Sequence, residues 1–319
     1  MPNHYLVKEQ KFEGKPNDIV IAVMGPTGAG KSNLIEHFHA TDSQQKLQIA
    51  KEQLKSATSA VSVYRVINHE SYQNRVVLVD TPGFDDTHIS DMAVLKMIGD
   101  WLEGSYRKGK TLTGILYLHR MTDNRMTGTA NRNLRMFGQL CGNDAAQKVI
   151  LVTTMWDRMK GKDEVAKSRV DQLRGTYWKE FLEMKSRIEP FNNTTTSADL
   201  ILARVIERAN VQKVLHLQEE LVNLGKPIKE TDAGITLYST LQRILKEQRE
   251  TLDALMNEQA TQADPALLAT LAEQRKQIEH QLQQSLKDLE QLKVGFFQRL
   301  FAFLRFKKAL SRAISVGEL

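Results

Sequence analysis

Short hydrophobic runs alternate with longer amphipathic stretches over the first two thirds of the chain. Each run is typical of a buried β-strand, and together they cover residues 18–24, 62–68, 75–80, 112–118, 148–153 and about 187–191. The stretches between them repeat apolar positions every three or four residues, which predicts helices over 32–39, 91–108, 129–141, 163–185 and 197–208. Strands that alternate with helices predict an α/β fold with a mostly parallel, doubly wound sheet.

One pair of runs departs from this alternation. Only a short polar link, His69 to Asn74, separates the run 62–68 from the run 75–80. A link of this length cannot hold the crossover helix that parallel strands need. We therefore expect an antiparallel hairpin that gives the sheet one antiparallel edge strand.

The pattern changes near residue 210, where strand-like runs end and Gln, Glu, Lys and Leu dominate. A helix is predicted from about 234 to 260, and Asp264-Pro265 ends it and starts another, with Asp as N-cap and Pro at the first position. The later leucines have helical spacing but heptads too irregular for a long coiled coil. We predict a flexible leader over 1–16, an α/β domain over 17–210 and a helical extension over 211–319.

Composition limits the class of protein further. A chain of 319 residues with 41% hydrophobic residues suits one large domain with an appendage, or two domains. The single cysteine, Cys141, excludes an internal disulfide and fits a reducing compartment. No apolar stretch follows a basic start, and no run approaches the roughly 18 apolar residues that span a bilayer. We therefore expect a cytoplasmic protein.

The strongest motif is GPTGAGKS, Gly25 to Ser32, which fits the phosphate-loop pattern G-x-x-x-x-G-K-[ST] between a predicted strand and a predicted helix. Its glycines let backbone N–H groups face an anion at a helix N-terminus. Lys31 is expected to reach the β- and γ-phosphates and Ser32 to hold Mg²⁺. The candidate nucleotide-binding residues here are Gly25, Pro26, Thr27, Gly28, Ala29, Gly30, Lys31, Ser32 and Asn33.

A second motif, DTPG, ends the strand 75–80. The carboxylate of Asp80 can reach the Mg²⁺ shell, and the N–H of Gly83 can meet the γ-phosphate, which is the logic of a nucleotide switch. Thr58 lies between the two motifs and is a third candidate for Mg²⁺ and the γ-phosphate. Ser56, Thr58 and Ser59 all offer hydroxyls there, so a solvated loop residue is the alternative for each.

A third motif, T-M-W-D, follows the strand 148–153 and occupies the place of the guanine-reading [NT]-K-x-D box. Asp157 would accept hydrogen bonds from guanine N1–H and its amino group, an arrangement that adenine lacks. Thr154 begins the motif, and Met155 stands where the usual Lys would lie along the base. Ser197 and Ala198 are a weaker candidate for the loop that backs the base.

Together, GPTGAGKS, LVDTPGFDD, ILYLHRMTDNRMTG and VTTMWD resemble the septin-like, immunity-associated group of GTPases. In particular, the chain resembles fungal P-loop GTPases with a helical C-terminal extension, related to septins and to chloroplast outer-envelope import GTPases. The resemblance implies a P-loop NTPase fold with a Ras-like G domain and a guanine-nucleotide switch that binds GTP or GDP with Mg²⁺. It also implies slow hydrolysis and a homodimer formed through the nucleotide-bearing face.

The residue after DTPG is Phe84, which cannot orient water as the catalytic Gln of a Ras-like enzyme does. Arg120 or Arg125 follows a central strand at the ligand-bearing edge and could act across a dimer as an arginine finger. Surface ion pairs are the alternative for both. A GTPase with stimulated hydrolysis and a septin-like scaffold with negligible turnover therefore both remain open, whereas Asp157 argues against an ATPase.

The tail from Phe296 to Arg312 has a composition of its own. Five Phe and two Leu fall within residues 295–306, and residues 293–319 carry a net charge of +5. A short, basic, aromatic amphipathic helix is typical of a peripheral membrane contact, while docking on its own protein or on a partner subunit is the alternative. A nucleic-acid role is not expected, because the basic patch is small and dominated by Phe.

Overall fold

The computed structural model describes residues 5–39, 60–86, 89–124, 126–210, 213–261, 267–279, 282–283 and 285–286. The chain divides into two compact units, Met1–Gly234 and Ile235–Leu319. The first unit holds the sheet, and the described part of the second is helical. The domain boundary near residue 210 stays a prediction.

Seven strands form one sheet in the order β1-β3-β4-β2-β5-β6-β7. From β4 to β7 all neighbouring strands are parallel, and β3 runs antiparallel to both β1 and β4. The predicted doubly wound, mostly parallel sheet is therefore confirmed. The strands are β1 (Leu6–Glu9), β2 (Ile19–Met24), β3 (Ser62–Ile67), β4 (Val76–Asp80), β5 (Gly114–Arg120), β6 (Val149–Thr154) and β7 (Arg187–Pro190).

The central strands are buried on both faces. Every residue of β2, β4 and β6 is buried, which explains why these strands are continuous hydrophobic runs rather than alternating ones. The helices of the first unit are α1 (Lys31–Glu36), α2 (Asp91–Arg107), α3 (Gly128–Ala145), α4 (Asp163–Gln172), α5 (Lys179–Glu183), α6 (Thr195–Ile206) and α7 (His216–Gln218). The helix α8 (Asp232–Thr261) begins at the end of this unit and continues into the second.

The predicted hairpin is present, with Ser62 opposite Asp80 in the β3–β4 register. The antiparallel strand β3 is not the edge strand, however, because β1 pairs with its outer side. The strand β1 lies where the sequence pattern predicts a flexible leader. Tyr5 and Val7 are buried there, but a four-residue strand with two charged members gives little hydrophobic pattern to detect.

The register of the parallel strands gathers the predicted motifs at one edge of the sheet. Val23 lies opposite Asp80, Met24 opposite Tyr117, and Arg120 opposite Thr154. Each of these strands ends at the same side, so the segments that follow them meet there. This is the edge at which open α/β sheets bind ligands.

In the second unit, α8 ends at Thr261 and a helix resumes over 267–279. These helices contain buried apolar side chains, namely Leu241, Leu245 and Leu271. Among the described residues, no helix is both long enough and apolar enough to cross a membrane. The predicted amphipathic segment from Phe296 to Arg312 lies outside the described residues.

Candidate nucleotide-binding site

The loop between β2 and α1 needs glycine at three positions. Gly25, Gly28 and Gly30 have φ angles of +137°, +75° and +90°, in the left-handed region that other residues rarely adopt. At Gly25 the backbone also passes the end of β5 so closely that a Cβ would lie 2.6 Å from the Leu118 carbonyl oxygen. The loop can therefore bend tightly and pass close to β5.

Lys31 is buried beneath this loop with 7% of its surface exposed. Its Nζ donates hydrogen bonds to the carbonyl oxygens of Gly25 and Pro26, each at 3.1 Å. Burial lowers the pKa of Lys31 to about 8, while Asp80 and Asp86 oppose this shift. A buried ammonium with only partial compensation favours an anionic ligand.

Two oxygen ligands suited to Mg²⁺ lie next to each other beside Lys31. The hydroxyl of Ser32 donates to Oδ2 of Asp80 at 2.8 Å, and Asp80 is fully buried at the end of β4. Hydroxyl and carboxylate oxygens are the donors that this hard cation prefers. The structure therefore brings together two of the three predicted metal ligands, whereas Thr58 lies outside the described residues.

The segment after Asp80 folds over the phosphate loop. Thr27 donates its backbone N–H to the Phe84 carbonyl oxygen at 2.8 Å, and Pro26 and Phe84 form a β-bridge. Gly83 lies so close that a Cβ would come within 2.4 Å of the Thr27 hydroxyl oxygen. The phosphate loop and the DTPG segment thus form one connected structure, with the Phe84 side chain buried.

Arg120 ends β5 beside the phosphate loop of its own chain. Its Nη1 lies 3.1 Å from the position that a Cβ on Gly28 would take, and its Nε is 3.0 Å from Oδ1 of Asp123. Asp123, three residues further along, orients this guanidinium and was not among the predicted site residues. Arg125 lies outside the described residues.

The predicted base-reading residues have two different environments. Thr154 is buried, and its hydroxyl donates to the Ala29 carbonyl oxygen at 2.9 Å, so it links the end of β6 to the phosphate loop. Asp157 is exposed within a short 3₁₀ turn, Trp156–Met159, that begins after Met155 in a left-handed conformation. Its carboxylate is therefore accessible to a ligand at this edge.

Ser197 and Ala198 lie within the first turn of α6 rather than in a loop. Ser197 forms a capping box with Thr194, and Ala198 is fully buried. The loop after β7 is formed instead by residues up to Thr194, where Oδ1 of Asn193 accepts a hydrogen bond from Nδ2 of Asn33 at 2.7 Å. Asn193 was not among the predicted site residues, although its position just after the last strand was a usable signal.

A family comparison covers the same part of the chain. Residues 20–154 match the sequence profile of the family described as 50S ribosome-binding GTPase. This stretch contains β2 to β6 with the phosphate loop and the DTPG segment. The chain has the fold of a P-loop GTPase.

Solved structures with a related fold include Toc33 from Arabidopsis thaliana in complex with GDP and Mg²⁺, at 16% identity and a TM-score of 0.46 over 63% of this chain and 87% of that one. Toc33 with Mg²⁺ and GMPPNP matches at 17% identity and the same TM-score, over 62% and 87%. A probable GTP-binding protein engB matches at 12% identity and a TM-score of 0.34, over 60% and 98%. At such low identities and TM-scores, these structures support no conclusion about ligand or activity.

No curated protein matches the sequence at a significant level. The description of the matching profile names neither the septin-like nor the immunity-associated group. That finer resemblance, and the likeness to fungal proteins, stay predictions.

Proposed function

We propose that this chain is a guanine-nucleotide-binding switch that hydrolyses GTP slowly and is stimulated by dimerisation or by a partner. The observation that carries the proposal is the convergence of Lys31, the Ser32–Asp80 pair and Gly83 on one glycine-rich loop. A buried cation and two oxygen ligands beside a glycine-rich loop at a helix N-terminus are the set that a nucleotide with a bound divalent cation requires.

In this proposal each residue has a specific task. Lys31 turns from the loop carbonyls to the phosphate oxygens, and Ser32 and Asp80 hold Mg²⁺, with Thr58 as the proposed third ligand. When bound, Mg²⁺ neutralises charge on the phosphates. Asp157 selects guanine, and Asn193 supports Asn33 at the neighbouring loop.

The proposed slow turnover rests on Phe84. Its buried side chain follows Gly83 directly and offers no group that could orient a water molecule. Hydrolysis then requires a group from elsewhere, for which Arg120 and Arg125 are the candidates in a homodimer formed through the nucleotide face. The same observation favours the second candidate function, a septin-like scaffold that holds nucleotide with negligible turnover.

Calorimetry with GDP, GTP and ATP in the presence of Mg²⁺ tests nucleotide binding. We expect tight binding of both guanine nucleotides, loss of binding in Lys31→Ala, and no change in Lys96→Ala, which replaces an exposed lysine of α2. Unchanged GTP affinity in folded Lys31→Ala would refute the assignment of the phosphate site.

The same measurement tests base selection. Asp157→Asn presents an amide donor to guanine N1–H, which also donates, and such an unpaired group costs about 1–3 kcal/mol. We expect GDP affinity to fall accordingly while Asp163→Asn, an exposed change on α4, leaves it intact. Equal affinity of the wild-type protein for ATP and GTP would contradict guanine selection.

A further inference from the structure

We propose that His216, Glu220 and Asp232 form a binding site for a divalent transition-metal ion of the zinc class, separate from the nucleotide site. All three residues belong to the first unit, in the segment that follows α6. One ligand atom from each lies within 4.8 Å of the others. Nothing in the proposed nucleotide chemistry uses these side chains.

The distances between the donor atoms suit a small metal ion. His216 Nε2 is 3.0 Å from Oδ2 of Asp232 and 3.7 Å from Oε1 of Glu220. Zinc binds nitrogen and oxygen ligands at about 2.0–2.2 Å, so a tetrahedral centre separates them by roughly 3.3 Å. His216 and Glu220 are four residues apart, which places them on one face of a helical segment.

The ligands are held in place before any ion binds. Gly142, with φ of +71°, brings α3 so near that a Cβ there would lie 2.6 Å from Cβ of His216. Glu220 is fully buried and accepts the backbone N–H of Asp232 at 3.1 Å. The side chains of His216 and Asp232 keep 34% and 47% of their surface exposed, which leaves a path for an ion to enter.

The ammonium group of Lys226 occupies the place that a metal ion would take in this cluster. Its Nζ donates to Oε1 of Glu220 at 2.9 Å. The cluster thus sets one ammonium against two carboxylates. The Lys226 side chain is 36% exposed, so it can move into solvent and yield its place to a dication.

The donor set also selects among metals. Mg²⁺ and Ca²⁺ prefer sites built of oxygen ligands alone, whereas one imidazole with two carboxylates suits Zn²⁺ or Co²⁺. His216 Nε2 lies 3.0 Å from Oδ2 of Asp232, so a metal ion bound by both atoms would replace the direct contact between them.

The test is titration of chelator-treated, full-length protein with Zn²⁺ by calorimetry and with Co²⁺ by visible absorption, in excess Mg²⁺ so that oxygen-only sites are filled. We expect one strong equivalent, its loss in His216→Ala and Asp232→Asn, and its retention in His37→Ala as the matched histidine control. Binding equal in wild type and His216→Ala would overturn the proposal.

Lys226→Met distinguishes a metal site from an ion-pair network. If Lys226 competes with the metal, its removal strengthens Zn²⁺ binding severalfold and makes Zn²⁺ raise the melting temperature more than in the wild type. If the cluster is only a network of ion pairs, Lys226→Met lowers the melting temperature and creates no Zn²⁺ affinity. A lower melting temperature without Zn²⁺ affinity in Lys226→Met would refute the metal site even if a His216 variant failed to fold.

Discussion

At the scale of single residues, the surroundings of Lys31 show how the proposed phosphate site would favour an anionic ligand. Its ammonium is held by two loop carbonyls and lies beside the buried Asp80. Backbone carbonyls compensate a buried charge less well than phosphate oxygens with full negative charge. The free protein therefore keeps a cation whose burial is incompletely compensated, and binding of the proposed anionic ligand would relieve this cost.

This arrangement predicts a pH dependence of nucleotide affinity. Burial lowers the pKa of Lys31 to about 8, so the free protein loses this charge as the pH rises through that value. We expect GDP affinity to fall above pH 8, by at most about tenfold per pH unit because only the protonated form binds well. Calorimetry with GDP between pH 7 and 9 measures this change in affinity.

The pH dependence of folding stability would not report on Lys31 alone. Its pKa and that of Lys148 are both lowered to about 8 from 10.5 by burial, so between those values the unfolded chain holds more protons and stability rises with pH. Only Lys31 lies at the phosphate loop, so Lys148→Met should keep the pH dependence of GDP affinity. A flat affinity profile in the wild type would show that the bound nucleotide does not depend on this charge.

At the scale of elements, the important contact joins the phosphate loop to the segment that follows β4. It consists of the Pro26–Phe84 bridge and the close approach of Gly83 to Thr27. Because α2 begins soon after this segment, a change at the phosphates has a direct covalent path to that helix.

We predict opposite effects for two glycine substitutions. In Gly83→Ala the new Cβ would meet backbone atoms of Thr27 at 2.6 Å, and such overpacking costs about 1–3 kcal/mol of unfolding free energy. Gly104→Ala lies in α2 with open space around it and should stabilise the protein by about 1 kcal/mol, because Gly is the poorer helix former. Chemical unfolding measures both. Equal stability of the two variants would contradict the close contact.

The predicted amphipathic segment gives a second test at this scale. Truncation after Leu292 removes the aromatic and basic residues from Phe296 to Arg312, and every proposed nucleotide contact lies before residue 200. We expect nucleotide binding to persist and co-sedimentation with phosphatidylserine liposomes to be lost, with wild-type binding weakened by salt because part of the attraction is screened.

The variant Phe296→Asp with Phe301→Asp serves as the matched control for the truncation, since it keeps the chain length and places charge on the predicted apolar face. Full-length protein that stays in the supernatant at low salt would instead indicate an internal or subunit contact. Truncation would then change stability or oligomeric state.

At the scale of the whole molecule, the two candidate functions differ in whether one chain could hydrolyse GTP without help from a second molecule. Phe84 supplies no water-orienting group, and Arg120 is held by Asp123 next to its own phosphate loop. A stimulated GTPase and a nucleotide-holding scaffold differ in whether a second molecule completes the site.

Single-turnover GTP hydrolysis, measured as a function of protein concentration, distinguishes the stimulated GTPase from the scaffold. If dimerisation completes the site, the hydrolysis rate per molecule rises with protein concentration and then saturates. Arg120→Ala or Arg125→Ala should then lower the saturating rate, because an arginine finger can contribute roughly 10³-fold or more to such reactions. Arg107→Ala, an exposed change at the end of α2, should leave the rate unchanged. A flat, near-zero rate at all concentrations supports the scaffold.

The class of fold and the candidate phosphate loop could both be predicted from the amino-acid sequence. Buried parallel strands must be continuous hydrophobic runs because both faces are covered, and a phosphate loop must carry glycines where φ is positive, so both leave strong local patterns. Gly25, Lys31, Ser32 and Asp80 could therefore be predicted as candidate phosphate and Mg²⁺ contacts from these patterns alone, and the β3–β4 hairpin was predicted as well.

Features that depend on contacts between residues far apart in the chain became visible only in the folded structure. Strand β1 is held by pairing with β3 rather than by its own pattern, Asn193 meets Asn33 across 160 positions of the chain, and Arg120 lies at Gly28 because β5 runs beside β2. Ser197 and Ala198 begin the predicted helix 197–208 and were also candidates for the loop that backs the base, but the cap at Thr194 starts α6 two residues earlier. Local patterns record secondary structure and burial, whereas side-chain partners are set by how the strands and helices pack in space.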